Sequence, residues 1–224
     1  MVKILHLYYD LMNLYGEYGN IVVLCDQLKK NNIEYQLDKY SIGDSFEFED
    51  YDFIYCGSGT ENKTELALKD FINRKDSFIK AVNNNKNIIF TGSSILLLGL
   101  NGVGIFNYTV NNSTKRICGD VICKCNDFNN IVGYINTSYI INDSDNEYVT
   151  IDKCDPTLKE YKGLGFKINS LLTINITGPL LVKNPSILEN VVGKLCNNFD
   201  KKTISKNQYI SYNIALEELK NRFN

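Results

Sequence analysis

The chain has 224 residues, 44% apolar and 22% charged, with a net charge of −2 at neutral pH. That is an ordinary composition for a globular protein large enough to bury a sizeable core. It excludes a strong cationic field for nucleic acid, which needs clustered Lys and Arg; pairs such as Lys29-Lys30 and Lys201-Lys202 are spread along the chain.

No apolar run approaches the roughly 20 residues that cross a bilayer. The first ten residues, MVKILHLYYD, reach an acid at Asp10 and offer no small-residue cleavage site, so they read as a strand and not as an export signal. A cytoplasmic protein with no membrane insertion and reduced thiols is the expectation. Its seven cysteines are irregularly spaced and include Cys118, Cys123 and Cys125 in strand-like sequence. With a single histidine, His6, they read as free thiols, and neither metal nor cofactor is expected.

In chain order, residues 2–8 form an apolar strand, and residues 17–30 carry Ile21, Leu24, Cys25 and Leu28 at helical spacing. Residues 34–40 alternate as a second strand, and 52–56 (DFIYC) form a third that runs into Gly57, Ser58 and Gly59. Residues 64–82 are helical, with Leu68, Phe71, Ile72, Phe78, Ile79 and Val82 facing inward and a break near Asp76. A fourth strand covers 87–91. Strand and helix alternating at this spacing predict a mainly parallel α/β sheet with helices on both faces. Ligands in such sheets bind beyond the carboxyl ends of the strands, so the loops after Tyr8, Cys56 and Thr91 would share one rim.

Beyond residue 102 the pattern predicts short strands at 104–110, 116–123, 131–136 and 171–176. Asn184 and Pro185 read as N-cap and first helical residue, followed by a stripe of Ile187, Leu188, Val191, Val192 and Leu195. A C-terminal amphipathic helix spans 211–222, within outer limits of about 207–223, and the absence of a Pro-, Gly- or Ser-rich linker predicts one domain over 1–224.

Residues 87–99, NIIFTGSSILLLG, read as strand, tight small-residue turn and apolar helix, the corner on which many α/β enzymes expose a nucleophile. The corner carries Thr91, Gly92, Ser93 and Ser94, and no cysteine. A serine there needs an adjacent base to attack anything, and His6 is far away in sequence, so Ser93 and Ser94 fit helix capping better than catalysis. Cys56, ending a strand on the same rim, is read as a small buried residue or a relocated nucleophile. His6 lies mid-strand with Ile4 and Tyr8 and is expected to be a hydrogen-bonded core residue.

Seven segments then occur in one order: LYYDLMNLYGEYGN (7–20), CGSGTE (56–61), TGSSILLLG (91–99), GIFNY (104–108), KRICGDV (115–121), VGYIN (132–136) and TGPLLVKNP (177–185). Over residues 2 to 198 the chain resembles the cobyric-acid-synthase-type class I glutamine amidotransferases, and within them the glutaminase subunits of lipid II isoglutaminyl synthase. The resemblance implies a flavodoxin-like fold and a heterodimer with a Mur-ligase-like synthetase that amidates peptidoglycan precursors. In that family the elbow reads like CGGYQLLG, which puts the nucleophilic cysteine at Gly92. The catalytic histidine, in a segment like LHGPLLPKNP, falls on Thr177, and a second one, in GFENH, falls on Thr137. The family's aspartate before the first helix falls on Glu17, its oxyanion loop on Gly57, Ser58 and Gly59, and its glutamine-binding arginine on Arg116.

Glutamine hydrolysis through a thioester needs a thiolate, a proton shuttle and donors aimed at the oxyanion. With Gly92 and Thr177 in the two decisive places, the resemblance implies a degenerate subunit that serves as scaffold, ammonia conduit or regulator. The alternatives are an amide hydrolase working through Cys56, and a module that binds glutamine or a related small molecule. Arg116 is expected to hold a carboxylate or to pair with a surface acid such as Asp120; Asp10 and Glu17 are expected to shape a pocket or to cap the first helix.

Overall fold

Runs of four to six residues, mostly apolar in all but the half-polar edge strand β2, make the strands β1 (Val2–Leu7), β2 (Tyr35–Tyr40), β3 (Phe53–Cys56) and β4 (Asn87–Thr91). In the computed structural model, which describes residues 1–128, 130–142, 146–196 and 199–224, they lie parallel in the order β2-β1-β3-β4. Three further strands follow in the chain: β5 (Thr109–Lys124), β6 (Ile131–Asn142) and β7 (Thr150–Cys154). Next come β8 (Gly165–Ile168) and β9 (Leu171–Ile174), which extend the parallel sheet to six strands. β9 pairs parallel with β4, and only the edge strand β8 is antiparallel.

Helices cover both faces. Alternate residues of a strand point to opposite sides, so Phe53 and Tyr55 enter one apolar cluster and Ile54 and Cys56 the other. On the first face lie α1 (Tyr18–Lys30) and α5 (Pro185–Leu195), with Ile21, Leu24, Leu188 and Val192 buried. On the second lie α2 (Glu61–Ile72) and α3 (Lys75–Asn83), whose Phe71 and Phe78 rings stand 4.8 Å apart. The helix expected over 64–82 therefore breaks at Asn73 and Arg74. Its phase resets there, and Ile72 turns out to solvent while Ala67 and Ala81 are buried.

The region after residue 102 departs further from the expected short strands. Residues 104–108 are loop, and β5 runs unbroken in sequence through 16 residues, bulging between Asn112 and Ile117. β6-β5-β7 form a separate antiparallel sheet. The strands β7 and β8 were not expected, because they are only five and four residues long and neither shows a clear apolar run. The corner helix is a 3₁₀ helix, Gly92–Leu97, not an α-helix. Asn184 does not cap α5 through its side chain. Its amide instead mimics a neighbouring strand: Oδ1 accepts Val132 N–H at 2.9 Å and Nδ2 donates to Val132 O at 3.0 Å. A short turn of helix, α4 (Leu180–Lys183), precedes it, and α6 (Lys206–Arg222) closes the chain. Among the described residues no helix is long and apolar enough to cross a membrane.

Candidate functional site

The carboxyl ends of β1, β3, β4 and β9 meet at one point. The loop after β1 brings Met12 and Glu17, the loop after β3 brings Gly57, Ser58 and Gly59, and β4 ends in the corner Thr91-Gly92-Ser93. The turn after β9 brings Thr177 and Gly178, as the hydrogen bond from Gly178 N–H to Glu17 Oε1 at 3.1 Å shows. The packing is tight enough that a Cβ on Gly57 would stand 2.5 Å from Met12 O and 2.8 Å from Glu17 Cβ.

Gly92 holds the corner in the left-handed region at φ +58°, where a side chain is strained. A Cβ there would lie 2.6 Å from Ser58 Oγ and 2.7 Å from Ser58 Cβ. Ser58 thus fills the volume a nucleophile would enter. Its Oγ also accepts the N–H of Ser93 at 3.2 Å, and Ser93 Oγ accepts the N–H of Gly59 at 2.9 Å. Backbone donors at such a corner are the groups that stabilise an oxyanion when they are left free. Here two serine hydroxyls occupy them, and Ser58 and Ser93 are themselves buried.

Neither corner serine caps the 3₁₀ helix, contrary to the sequence expectation. Ser93 bonds to Thr64 Oγ1 at 2.8 Å, and Ser94 Oγ donates to Thr91 O at 2.8 Å.

Glu17 is fully buried and is the hub of the site. Its carboxylate accepts from Tyr55 OH, from Thr91 Oγ1 at 2.9 Å, from Asn20 Nδ2 at 3.1 Å and from Gly178 N–H. Burial raises its pKa to about 7, against the opposing pull of the Tyr55, Thr91 and Gly178 hydrogen bonds. It shapes the interior and does not cap α1 through its side chain. Asp10 is exposed and accepts a hydrogen bond from Ser41 Oγ at 2.6 Å. Tyr55 and Asn20 were not singled out in the sequence, and Thr91 was named there only as part of the corner. Asn20, three residues after Glu17 at the start of a helix, was the available signal.

Thr177 is tied to structure: its N–H and its hydroxyl both donate to Tyr134 O, at 2.8 and 2.9 Å. Thr137 Oγ1 accepts Tyr139 N–H at 3.0 Å. Cys56 ends β3 on the face opposite Tyr55 and is wholly buried. Burial, then the nearby Glu17 charge, push its thiol well above the ordinary range.

Arg116 does not pair with Asp120, which is held by Arg222 at 2.5 Å. The arginine pairs with Glu61 at 2.8 Å and also donates to Asn136 Oδ1 at 2.6 Å and Tyr15 OH at 3.0 Å, in a half-exposed surface network.

His6 is buried as expected, but neither ring nitrogen has a hydrogen-bond partner. Its ring stacks on Tyr18 at 5.7 Å and lies 5.6 Å from Tyr55, and burial, aided by Lys39, lowers its pKa to about 4. Among the described residues no group of three or more His, Cys, Asp or Glu could hold a metal.

No protein-family model matches the chain. Across 239 aligned positions it is 25% identical to the GatD subunit of lipid II isoglutaminyl synthase (glutamine-hydrolyzing) of Staphylococcus aureus, covering 99% of this chain and 97% of that protein. The GatD subunit of Streptococcus pneumoniae is 28% identical over 138 residues, 57% of this chain and 53% of its own. Among solved structures, PurLQS of Thermotoga maritima superposes with a TM-score of 0.54 at 15% identity, covering 96% of this chain and 99% of that one. The glutaminase domain of the Trypanosoma brucei CTPS superposes with a TM-score of 0.53 at 10% identity, covering 97% and 94%. The chain is therefore a homologue of GatD glutaminase subunits and carries the fold of the class I glutamine amidotransferases.

Proposed function

We propose that this chain is a glutaminase-type subunit that no longer hydrolyses glutamine and that serves a Mur-ligase-like synthetase in lipid II amidation as a docking or regulatory subunit. One observation carries the loss of hydrolysis. Ser58 Oγ stands 2.6 Å from where a side chain on Gly92 would begin and takes up the N–H of Ser93. The corner therefore has no nucleophile, no room for one and no free donor at Ser93, while Thr177 has both its polar groups committed to Tyr134. The retained fold and the homology along the whole chain favour a preserved assembly role over an unrelated activity.

The test is to co-express and purify the chain with a Mur-ligase-like synthetase from the same genome and to follow ammonia and glutamate from glutamine. Co-elution of the two proteins without glutamate release is the expected result. Glutamate release abolished by Cys56→Ala would overturn it in favour of a relocated nucleophile, which the depth and raised pKa of that thiol oppose.

A further inference from the structure

The helix α6 is fastened at its two ends. Near the first, Gln208 Nε2 donates to the carbonyls of Leu181 and Val182, each at 2.9 Å. Near the second, Arg222 pairs with Asp120 at 2.5 Å and approaches Asp155 at 3.6 Å. Between these ties Tyr212, Leu216, Leu219 and Phe223 pack on Ile122 and Val132. Beside them a groove of about 420 Å³ stays open between α6, β6 and α4. That is a volume in which small organic ligands are commonly held.

Two of the residues lining the groove are small. Gly133 contributes only backbone to it, because its missing Cβ would point into the core, 2.6 Å from Ile176 Cδ1. Ala215 on the helix leaves its space unfilled. The floor is apolar, from Val132, Val182, Ala215 and Leu219.

The charges at its two ends differ in sign. At one end the single cation Arg222 faces Asp120, Asp155 and, within reach of its charge, Glu218. At the other stands Lys183, an exposed ammonium with no ion pair within 4 Å among the described residues, though its charge pulls down the pKa of the buried Glu17. A ligand with one acid group fits this polarity, with its headgroup at Lys183 and its apolar body toward Leu219. A second acid group at the far end would meet surplus carboxylates.

Lys183 also stands beside the site. Its Nζ is 3.2 Å from where a Cβ of Gly178 would stand, and Gly178 N–H is a donor to Glu17. We propose that the groove between α6 and β6 is a binding site for a monoanionic organic acid with an apolar body, held by Lys183, and that its occupancy is registered at the Thr177–Gly178 turn. This reading is independent of whether the corner hydrolyses glutamine.

The probe is 8-anilinonaphthalene-1-sulfonate, an aromatic monoanion that fluoresces in apolar grooves, titrated into the folded full chain. Saturable binding to one site is expected, displaced by octanoate, by 2-naphthoate or by both, which separates an acyl-chain from an aromatic ligand. Ala215→Phe should abolish the saturable binding by filling the groove. Lys183→Met should weaken it about two- to fivefold, the size of an exposed ion pair, while the amide resonance of Gly178 shifts on octanoate addition in the wild type and not in the Lys183 variant. Lys183 is exposed, so that variant carries the test even if Ala215→Phe fails to fold. Unsaturable binding, binding unchanged in Lys183→Met, or displacement by neither acid overturns the proposal.

Discussion

Ser58 Oγ lies 2.6 Å from the position of a Cβ on Gly92, and the same oxygen accepts the N–H of Ser93 at 3.2 Å. One hydroxyl therefore occupies both the space a side chain at residue 92 would take and the N–H of Ser93. Gly92 and Ser58 are complementary, so changing one without the other meets a steric or a polar conflict.

Gly92→Cys alone should give no glutaminase activity and a less stable protein. Its φ of +58° costs a non-glycine residue about 1–3 kcal/mol, before the collision with Ser58 is counted. Adding Ser58→Gly should recover part of that loss and make the new thiol reactive to iodoacetamide. Adding Thr177→His as well should supply the missing base and produce measurable glutamate from glutamine. Equal melting temperatures for Gly92→Cys with and without Ser58→Gly would contradict the complementarity.

Glu17 and His6 impose opposite pH slopes on stability. The pKa of Glu17 rises from 4.5 to about 7 on folding, so the folded state binds the extra proton and its contribution is lost as pH climbs through about 7. The pKa of His6 falls from 6.5 to about 4, so its contribution is present above pH 6.5 and lost as pH drops through about 4. Glu17→Gln should leave melting temperatures that rise between pH 4.5 and 6.5, and His6→Leu should leave them falling over the same range. At pH 7 His6→Leu should be neutral or stabilising by about 1 kcal/mol, because it removes two unpartnered buried nitrogens. Parallel pH curves for the two variants would refute this assignment.

Cys56 should be silent in the folded protein. A disulfide reagent should label the exposed Cys118 quickly and reach Cys56 only on unfolding. Cys56→Ala should cost about 1–2 kcal/mol by leaving a small cavity in the core. Labelling of Cys56 faster than global unfolding, read by mass spectrometry, would give the thiol an accessibility that its burial denies.

The Arg116–Glu61 pair is about half exposed on both sides and should couple by less than about 1 kcal/mol in a double-mutant cycle of urea midpoints. Its larger effect should be on the surrounding network: Glu61→Ala frees one side of the guanidinium and also removes the acceptor of Ser138 Oγ. Faster proteolysis in the loop that carries Tyr15 is expected, and unchanged proteolysis would show that the network does not hold that loop.

The sequence alone determined the parallel half of the fold. Apolar runs at β1, β3 and β4 can be buried only in a sheet covered on both faces, and the 3.6-residue stripes of α1 and α5 supply the cover. It also determined what the corner lacks, since glycine at residue 92 and threonine at residue 177 carry no thiol and no imidazole whatever the fold does. Tertiary structure decided the rest. That Ser58 fills the space over Gly92, that Glu17 collects Tyr55, Thr91, Asn20 and Gly178, and that Arg116 chooses Glu61 over Asp120 are distances between residues far apart in the chain. Local periodicity encodes which face of an element is buried; it holds no information on which loops converge, because that follows from how strands far apart in sequence come to lie side by side.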